Sequence, residues 1–174
     1  MYDKEKWLRA ADFHGHQCPG LAIGYKAVEA ALAKRPTGAA QDEEIVCVTE
    51  NDTCAADAVQ ALMGCTFGKG NLVYRPLGKM AFSFYFRESG ERLRVCFKDE
   101  NSQNLDRAAY IDYLLNAPVE SLFTFSTPEA PCPERARHFA SVACSRCGEK
   151  AREDKIRLKD GKPYCLACFD EYDR

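Results

Sequence analysis

The chain predicts an α+β fold: a mainly antiparallel sheet packed with helices, followed by a small C-terminal finger built on four cysteines. Three observations lead there. Apolar residues recur every three or four positions over 19–34 and again from Ser102 to Asn116, the period of an amphipathic helix. Between residues 71 and 98 the period drops to two, with turn residues between the runs, as in strands joined by hairpins. Near the C-terminus, Cys144-x2-Cys147 and Cys165-x2-Cys168 are two tight thiol pairs with 17 residues between them. On these boundaries an α+β core spans 1–127, a Pro-rich linker with a short helix spans 128–143, and the zinc-finger module spans 144–174.

Taken in order, Trp7, Leu8 and Ala11 give a short helix over 3–12. Pro19 suits a first helical position, which makes Cys18 the N-cap; Leu21, Tyr25, Val28 and Leu32 carry that helix to about Lys34, where Pro36 and Gly38 end it. Ile45-Val46-Cys47-Val48-Thr49 is β-branched enough for a buried strand, with Cys47 in the core. Asn51 or Asp52 then caps a helix bearing Ala55, Ala58, Val59, Leu62 and Met63, closed by Gly64. Met80, Phe82, Phe84 and Phe86 alternate with smaller or polar residues, so one aromatic face of that strand meets the core; Ser89-Gly90 turns it into Arg92–Phe97. Leu105, Ala108, Ile111, Leu114 and Leu115 mark a further helix, and Leu122–Phe125 an edge strand. Pro128, Pro131 and Pro133 mark a boundary.

Chemistry concentrates in His14-Gly15-His16-Gln17-Cys18-Pro19-Gly20, which holds two of the three histidines and a thiol. In an extended segment His14, His16 and Cys18 alternate onto one face, and Gly15 lets the backbone adjust them. A helix N-terminus favours a thiolate, so Cys18 reads as a reactive thiol, a metal ligand or both, against the plainer reading of a simple cap. Cys54 sits in the first turn of its own helix and is paired with the same centre on that ground, the alternative being a small packed residue. Cys65 lies at the other end of that helix, roughly 16 Å away at 1.5 Å per residue, too far to share one ion with Cys54. The segment Gly64-Cys65-Thr66-Phe67-Gly68-Lys69-Gly70-Asn71 has a phosphate loop's glycines but not its spacing, its hydroxyl residue or its strand-to-helix order. It is a tight turn or, functionally, an anion-binding nest under Lys69.

The four C-terminal cysteines have the spacing of a structural zinc site, with Asp160-Gly161 as the turn of a hairpin in the insert. Ten cysteines in a chain of 174 residues call for metal or thiol chemistry, since the expected compartment is the reducing cytoplasm. Cys132 and His138 near the linker are simplest as incidental. A formal charge of −2 argues against nucleic acid and against an anionic membrane surface, and no apolar run reaches a membrane span. The finger itself, over 144–174, carries eight basic against seven acidic residues, which suits structure or protein contact better than DNA.

Taken together, HGHQCPGLAIGY, the helix from Cys54 through Asp57 to Gln60, GCTFGKGNL and GKMAFSFYFR resemble the FmdE-like family, which takes its name from one of the subunits of formylmethanofuran dehydrogenase. The resemblance implies an α+β core that often carries a C-terminal zinc finger, a homodimer, and a link to anaerobic one-carbon metabolism with molybdenum or tungsten enzymes. The family's His and Cys positions fall here on His14, His16, Cys18, Cys54 and Cys65, with Lys69 in the glycine loop. The expectation is then a second metal, zinc above others, held by His16, Cys18 and Cys54, with Cys18, Cys54 and Lys69 in any chemistry and His14, Asp57 and Cys65 as secondary candidates. A non-catalytic subunit, or a metal-handling or thiol redox partner of such an enzyme, is the competing expectation; the residues leave turnover itself open.

Overall fold

The computed structural model describes residues 2–36, 38–98 and 105–170. It divides into two compact units, Met1–Ala136 and Arg137–Arg174. In the first, helix α1 (Lys4–His14) starts where the Asp3 carboxylate accepts from the N–H groups of Glu5 and Lys6, and stops at Gly15 in the left-handed region. Helix α2 (Pro19–Lys34) is buried nearly all round, from Leu21 to Ala31. It can be so enclosed because Gly24 lets the Ala55 backbone of the next helix approach; any Cβ there would collide with it. Strand β1 (Ile45–Thr49) leads to α3 (Ala55–Met63) and on to β2 (Leu72–Tyr74), β3 (Ala81–Phe86) and β4 (Arg92–Phe97). After these come α4 (Arg107–Asn116), α5 (Val119–Leu122) and β5 (Phe123–Ser126). The helix start expected at Ser102 lies outside the described residues.

The strands form one sheet in the order β2-β1-β3-β4-β5, antiparallel except for the β1–β2 pair, which is parallel. Alternation sorts its two faces. Ile45, Cys47, Phe82, Phe84, Phe86, Leu93, Val95 and Phe123 join the buried cluster shared with α1, α2 and α3. The reverse face carries a smaller cluster of Val46, Val48 and Tyr85, against which Val73 and Cys132 pack.

The Pro-rich stretch expected to be a linker with a short helix contains no helix between 127 and 140. Its first part is tied to the core. Tyr85 Oη donates to the Ala130 carbonyl at 3.2 Å, Arg87 Nη2 donates to that of Pro133 at 2.8 Å, and the Ala136 N–H donates to the Glu43 carboxylate at 3.1 Å. Proline lacks a backbone donor, so this strap is held by side chains that reach its carbonyls.

The second unit is two small antiparallel hairpins, β6 (Ser141–Ala143) with β7 (Lys150–Arg152) and β8 (Ile156–Lys159) with β9 (Lys162–Cys165). Asp160 and Gly161 both take positive φ between β8 and β9, the geometry of a tight hairpin turn. Among its described residues only Cys144 is buried. Apolar burial alone therefore cannot hold this unit.

Candidate metal centres

In the finger, Cys144, Cys147, Cys165 and Cys168 place their sulfurs within 4.8 Å of one another. Two tight turns bring them together: the Gly148 N–H donates to the Cys144 carbonyl, and those of Cys168 and Phe169 to the Cys165 carbonyl. The Cys147 and Cys165 sulfurs are 4.0 Å apart, against about 3.8 Å for two thiolates on a tetrahedral zinc with Zn–S near 2.3 Å. Backbone N–H groups, that of Cys147 first, hold the Cys144 thiol down at about 6. The donor set and its dimensions fit structural zinc.

The second centre sits where α1 hands over to α2. His14 is the last residue of α1, Gly15 caps that helix, and Cys18 opens α2 with its Sγ accepting from the Leu21 N–H at 3.3 Å. The convergence expected from an extended HxHxC segment is thus achieved differently, by a helix end and a helix start joined through a short bridge. Arg107 of α4 braces that bridge by donating to the Gln17 carbonyl at 3.2 Å. His14 Nε2 lies 3.7 Å from Cys18 Sγ, and the His14 and His16 rings are 4.3 Å apart. All three ligand atoms fall within 4.8 Å of each other, with Cys18 buried, His14 half-buried and His16 exposed. For an imidazole nitrogen and a thiolate on one tetrahedral zinc the expected separation is about 3.6 Å, so this pair too has the right dimensions.

Behind His14 stands Asp57, in the first turn of α3. Its Oδ2 is 2.7 Å from His14 Nδ1, and its Oδ1 accepts from Gln60 Nε2 at 3.2 Å. A carboxylate can only accept, so Nδ1 carries the proton and the neutral ring turns the Nε2 lone pair toward Cys18. That is the arrangement by which ligating histidines are oriented and made more basic.

The ligand set expected from sequence, His16, Cys18 and Cys54, is therefore reweighted. His14 joins at ligand distance, whereas Cys54 does not meet the same mutual spacing. Cys54 is still a neighbour: a Cβ placed on Gly20 would lie 3.8 Å from Cys54 Sγ and 4.0 Å from Cys18 Sγ. Burial, and then the hydrogen bond with Cys18, push the Cys54 thiol above its usual range, opposite to the direction expected of a helix N-terminus. Its backbone explains part of this, because Cys54 is already helical and its side chain makes no cap. The capping passes through Asn51 and Thr53 instead: Asn51 Oδ1 accepts from Thr53, whose Oγ1 accepts from the Ala55 N–H at 3.4 Å.

Cys65 and Lys69 lie beyond the opposite end of α3. Cys65 is fully buried, donates toward the Ile45 carbonyl at 3.5 Å and is pushed up to about 12 by burial. Lys69, expected over an anion, donates from Nζ to the carbonyls of Ala40 at 2.8 Å and Gln41 at 3.4 Å, closing the loop between α2 and β1. Neither reaches the cluster. The His14–Asp57 bond had only a faint sequence signal: Asp57 stands three residues after Cys54, and so shares its side of α3.

A buried thiol, two imidazoles and a carboxylate-oriented ring, on an α+β core followed by a four-cysteine finger, define a class of metal-binding protein. Residues 13–124 match the family described as "FmdE, Molybdenum formylmethanofuran dehydrogenase operon", and residues 137–174 match the prokaryotic dksA/traR C4-type zinc finger. The chain belongs to the FmdE family and carries that finger at its C-terminal end. Among solved structures it resembles an FmdE-like protein of tungsten formylmethanofuran dehydrogenase type from Syntrophus aciditrophicus, at TM-score 0.68 and 25% identity over 94% of this chain and 90% of that one. It is also 29% identical to a probable S-adenosyl-L-methionine-binding protein of Archaeoglobus fulgidus, over 95% of this chain but 52% of that protein. The chain thus spans about half the length of that relative. A shorter stretch of 36 residues is 44% identical to the protein prickle of Aedes aegypti and covers 4% of it.

Proposed function

We propose that the junction of α1, α2 and α3 is a zinc centre with His14, His16 and Cys18 as ligands and a fourth position beside Cys54, and that the protein serves one-carbon metabolism alongside a molybdenum or tungsten formylmethanofuran dehydrogenase. The observation that carries the reading is the line Asp57–His14–Cys18. Asp57 fixes the His14 tautomer, the Cys18 sulfur is held by the Leu21 N–H, and both donors stand at ligand separation before any ion binds. Mixed imidazole and thiolate donors suit borderline-soft ions. Zinc in such a site supplies Lewis acidity and lowers the pKa of a bound water toward neutrality. The exposed His16 marks the side from which a ligand enters, and Cys54 flanks the fourth position on the buried side.

The family description and the Syntrophus aciditrophicus relative support the link to formylmethanofuran dehydrogenase. Under this reading the protein is cytoplasmic, forms a homodimer, and co-purifies with such an enzyme. Among the described residues no helix is long and apolar enough to cross a membrane. Cobalt substitution tests the centre: with Cys165→Ser and Cys168→Ser removing the finger's ligands, bound Co²⁺ shows a thiolate-to-cobalt charge-transfer band that disappears on Cys18→Ser. A cobalt-loaded chain with no such band excludes Cys18 as a ligand and overturns the assignment.

A further inference from the structure

The sheet has a second functional feature on the face turned away from the metal cluster. There a cavity of about 470 Å³, within the range of small-molecule sites, is floored by one row of side chains running across four strands. Val48 of β1 pairs with Ser83 of β3, Ser83 with Arg94 of β4, and Arg94 with Ser126 of β5. The β2–β3 connection, through Arg75, Leu77 and Lys79, makes one wall. The strap from Thr127 to Ala130, pinned by Tyr85, makes the other.

Charge is distributed unevenly in it. Arg94 grips Glu50 through two parallel bonds, Nε to Oε1 at 2.8 Å and Nη2 to Oε2 at 2.9 Å, a geometry that both neutralises the pair and holds it rigid. Arg94 first, with Lys79 and Arg75 behind it, keeps the Glu50 carboxyl below its usual range, so that charge is permanent near neutral pH. Once Arg94 is matched, Arg75 and Lys79 remain. Among the described residues neither side chain has a hydrogen-bond or ion-pair partner, and Glu129, the other carboxylate of the lining, is exposed on the strap. Hydroxyls of Ser83, Ser126 and Thr127 line the space between, and Leu77, 57% exposed, stands at its mouth.

We propose that this reverse-face cavity binds an organic anion of small-metabolite size, its phosphate or carboxylate group held by Arg75 and Lys79 and by the lining hydroxyls. Two unmatched cations beside a rigid, already neutralised ion pair prepare the site for negative charge without a large rearrangement. The apolar edge of Leu77 suits the organic part of such a ligand. The site is independent of the metal centre, because the sheet separates the two.

The test is a titration of the isotope-labelled full chain, followed by NMR, with pyrophosphate in one arm and citrate in the other at matched ionic strength. The expected result is saturable shifts of the Val48, Ser83, Arg94 and Ser126 amides, weakened about tenfold or more by Arg75→Gln and again by Lys79→Gln, and unchanged by Cys18→Ser. Both cations are exposed, so these substitutions leave the fold in place. Preference for pyrophosphate identifies a phosphate ligand and preference for citrate a carboxylate. Shifts that fail to saturate with either probe, that gather around His14, or that persist in the Arg75→Gln/Lys79→Gln chain overturn the proposal.

Discussion

The two cysteine-bearing clusters are organised in opposite ways. In the finger four thiolates surround one point, and the strands around them bury almost nothing else, so the ligands are the core. At the α1–α2 junction the donors are mixed, one of them is exposed, and the scaffold behind them is an apolar core with Phe82, Phe84, Phe123 and Leu21 fully buried. A closed, all-sulfur set is what structural zinc sites use, and a set with a free position is what reactive ones use. The finger needs its ion in order to fold; the junction is folded first and binds afterwards.

That difference can be broken experimentally, and the largest effect belongs to the finger. Cys165→Ser with Cys168→Ser removes half its ligands and with them the metal-linked stability, on the order of 10 kcal/mol or more for such modules. Hydrogen exchange should show β6 to β9 unprotected while α1 to α3 and the central sheet keep their protection; protected finger amides would show that the unit folds without its ion. Next in size, Phe84→Ala opens a cavity under the helices and costs the first unit about 3–5 kcal/mol in denaturant unfolding. A loss below about 1 kcal/mol, the scale of a surface change, would mean that apolar packing is not what holds the junction's scaffold.

Smaller effects sharpen the comparison at the junction itself. Asp57→Asn keeps the shape but weakens the acceptor on His14 Nδ1, and should lower affinity for the junction's ion about 10- to 100-fold in a chelator competition, with the finger's affinity unchanged. Equal affinities in the two chains would remove Asp57 from the account. Lys69→Met should leave both affinities alone and cost about 1 kcal/mol of stability, the loss of the bonds that close the loop at Ala40 and Gln41. A fall in metal affinity on that substitution would return Lys69 to the site.

How far each cluster could be read from sequence follows from the same contrast. The finger's ligands are local pairs at fixed spacing, and Asp160-Gly161 supplies a turn whose backbone only a few residue types adopt, so both were legible. The start of α2 at Cys18-Pro19 and the aromatic face of β3 were legible for similar reasons: capping and period two are written within a few residues. The junction depends on contacts between distant segments. Asp57 meets His14 across 43 positions, and nothing in one sequence marks that pair above His16 or Cys54. The parallel pairing of β1 with β2 was hidden as well, since alternation of side chains is the same in either direction. The strap over 127–136 escaped because its prolines look like a linker, while the groups that fasten it, Glu43, Tyr85 and Arg87, lie elsewhere in the chain.

Metal content per folded chain, by elemental analysis after dialysis, bears most directly on the central claim of two separate centres. Wild type should hold two zinc ions, the Cys165→Ser/Cys168→Ser chain one, and that chain with His14→Ala and Cys18→Ser added none. A folded Cys165→Ser/Cys168→Ser chain that carries no ion would contradict the claim and leave the finger as the sole metal site.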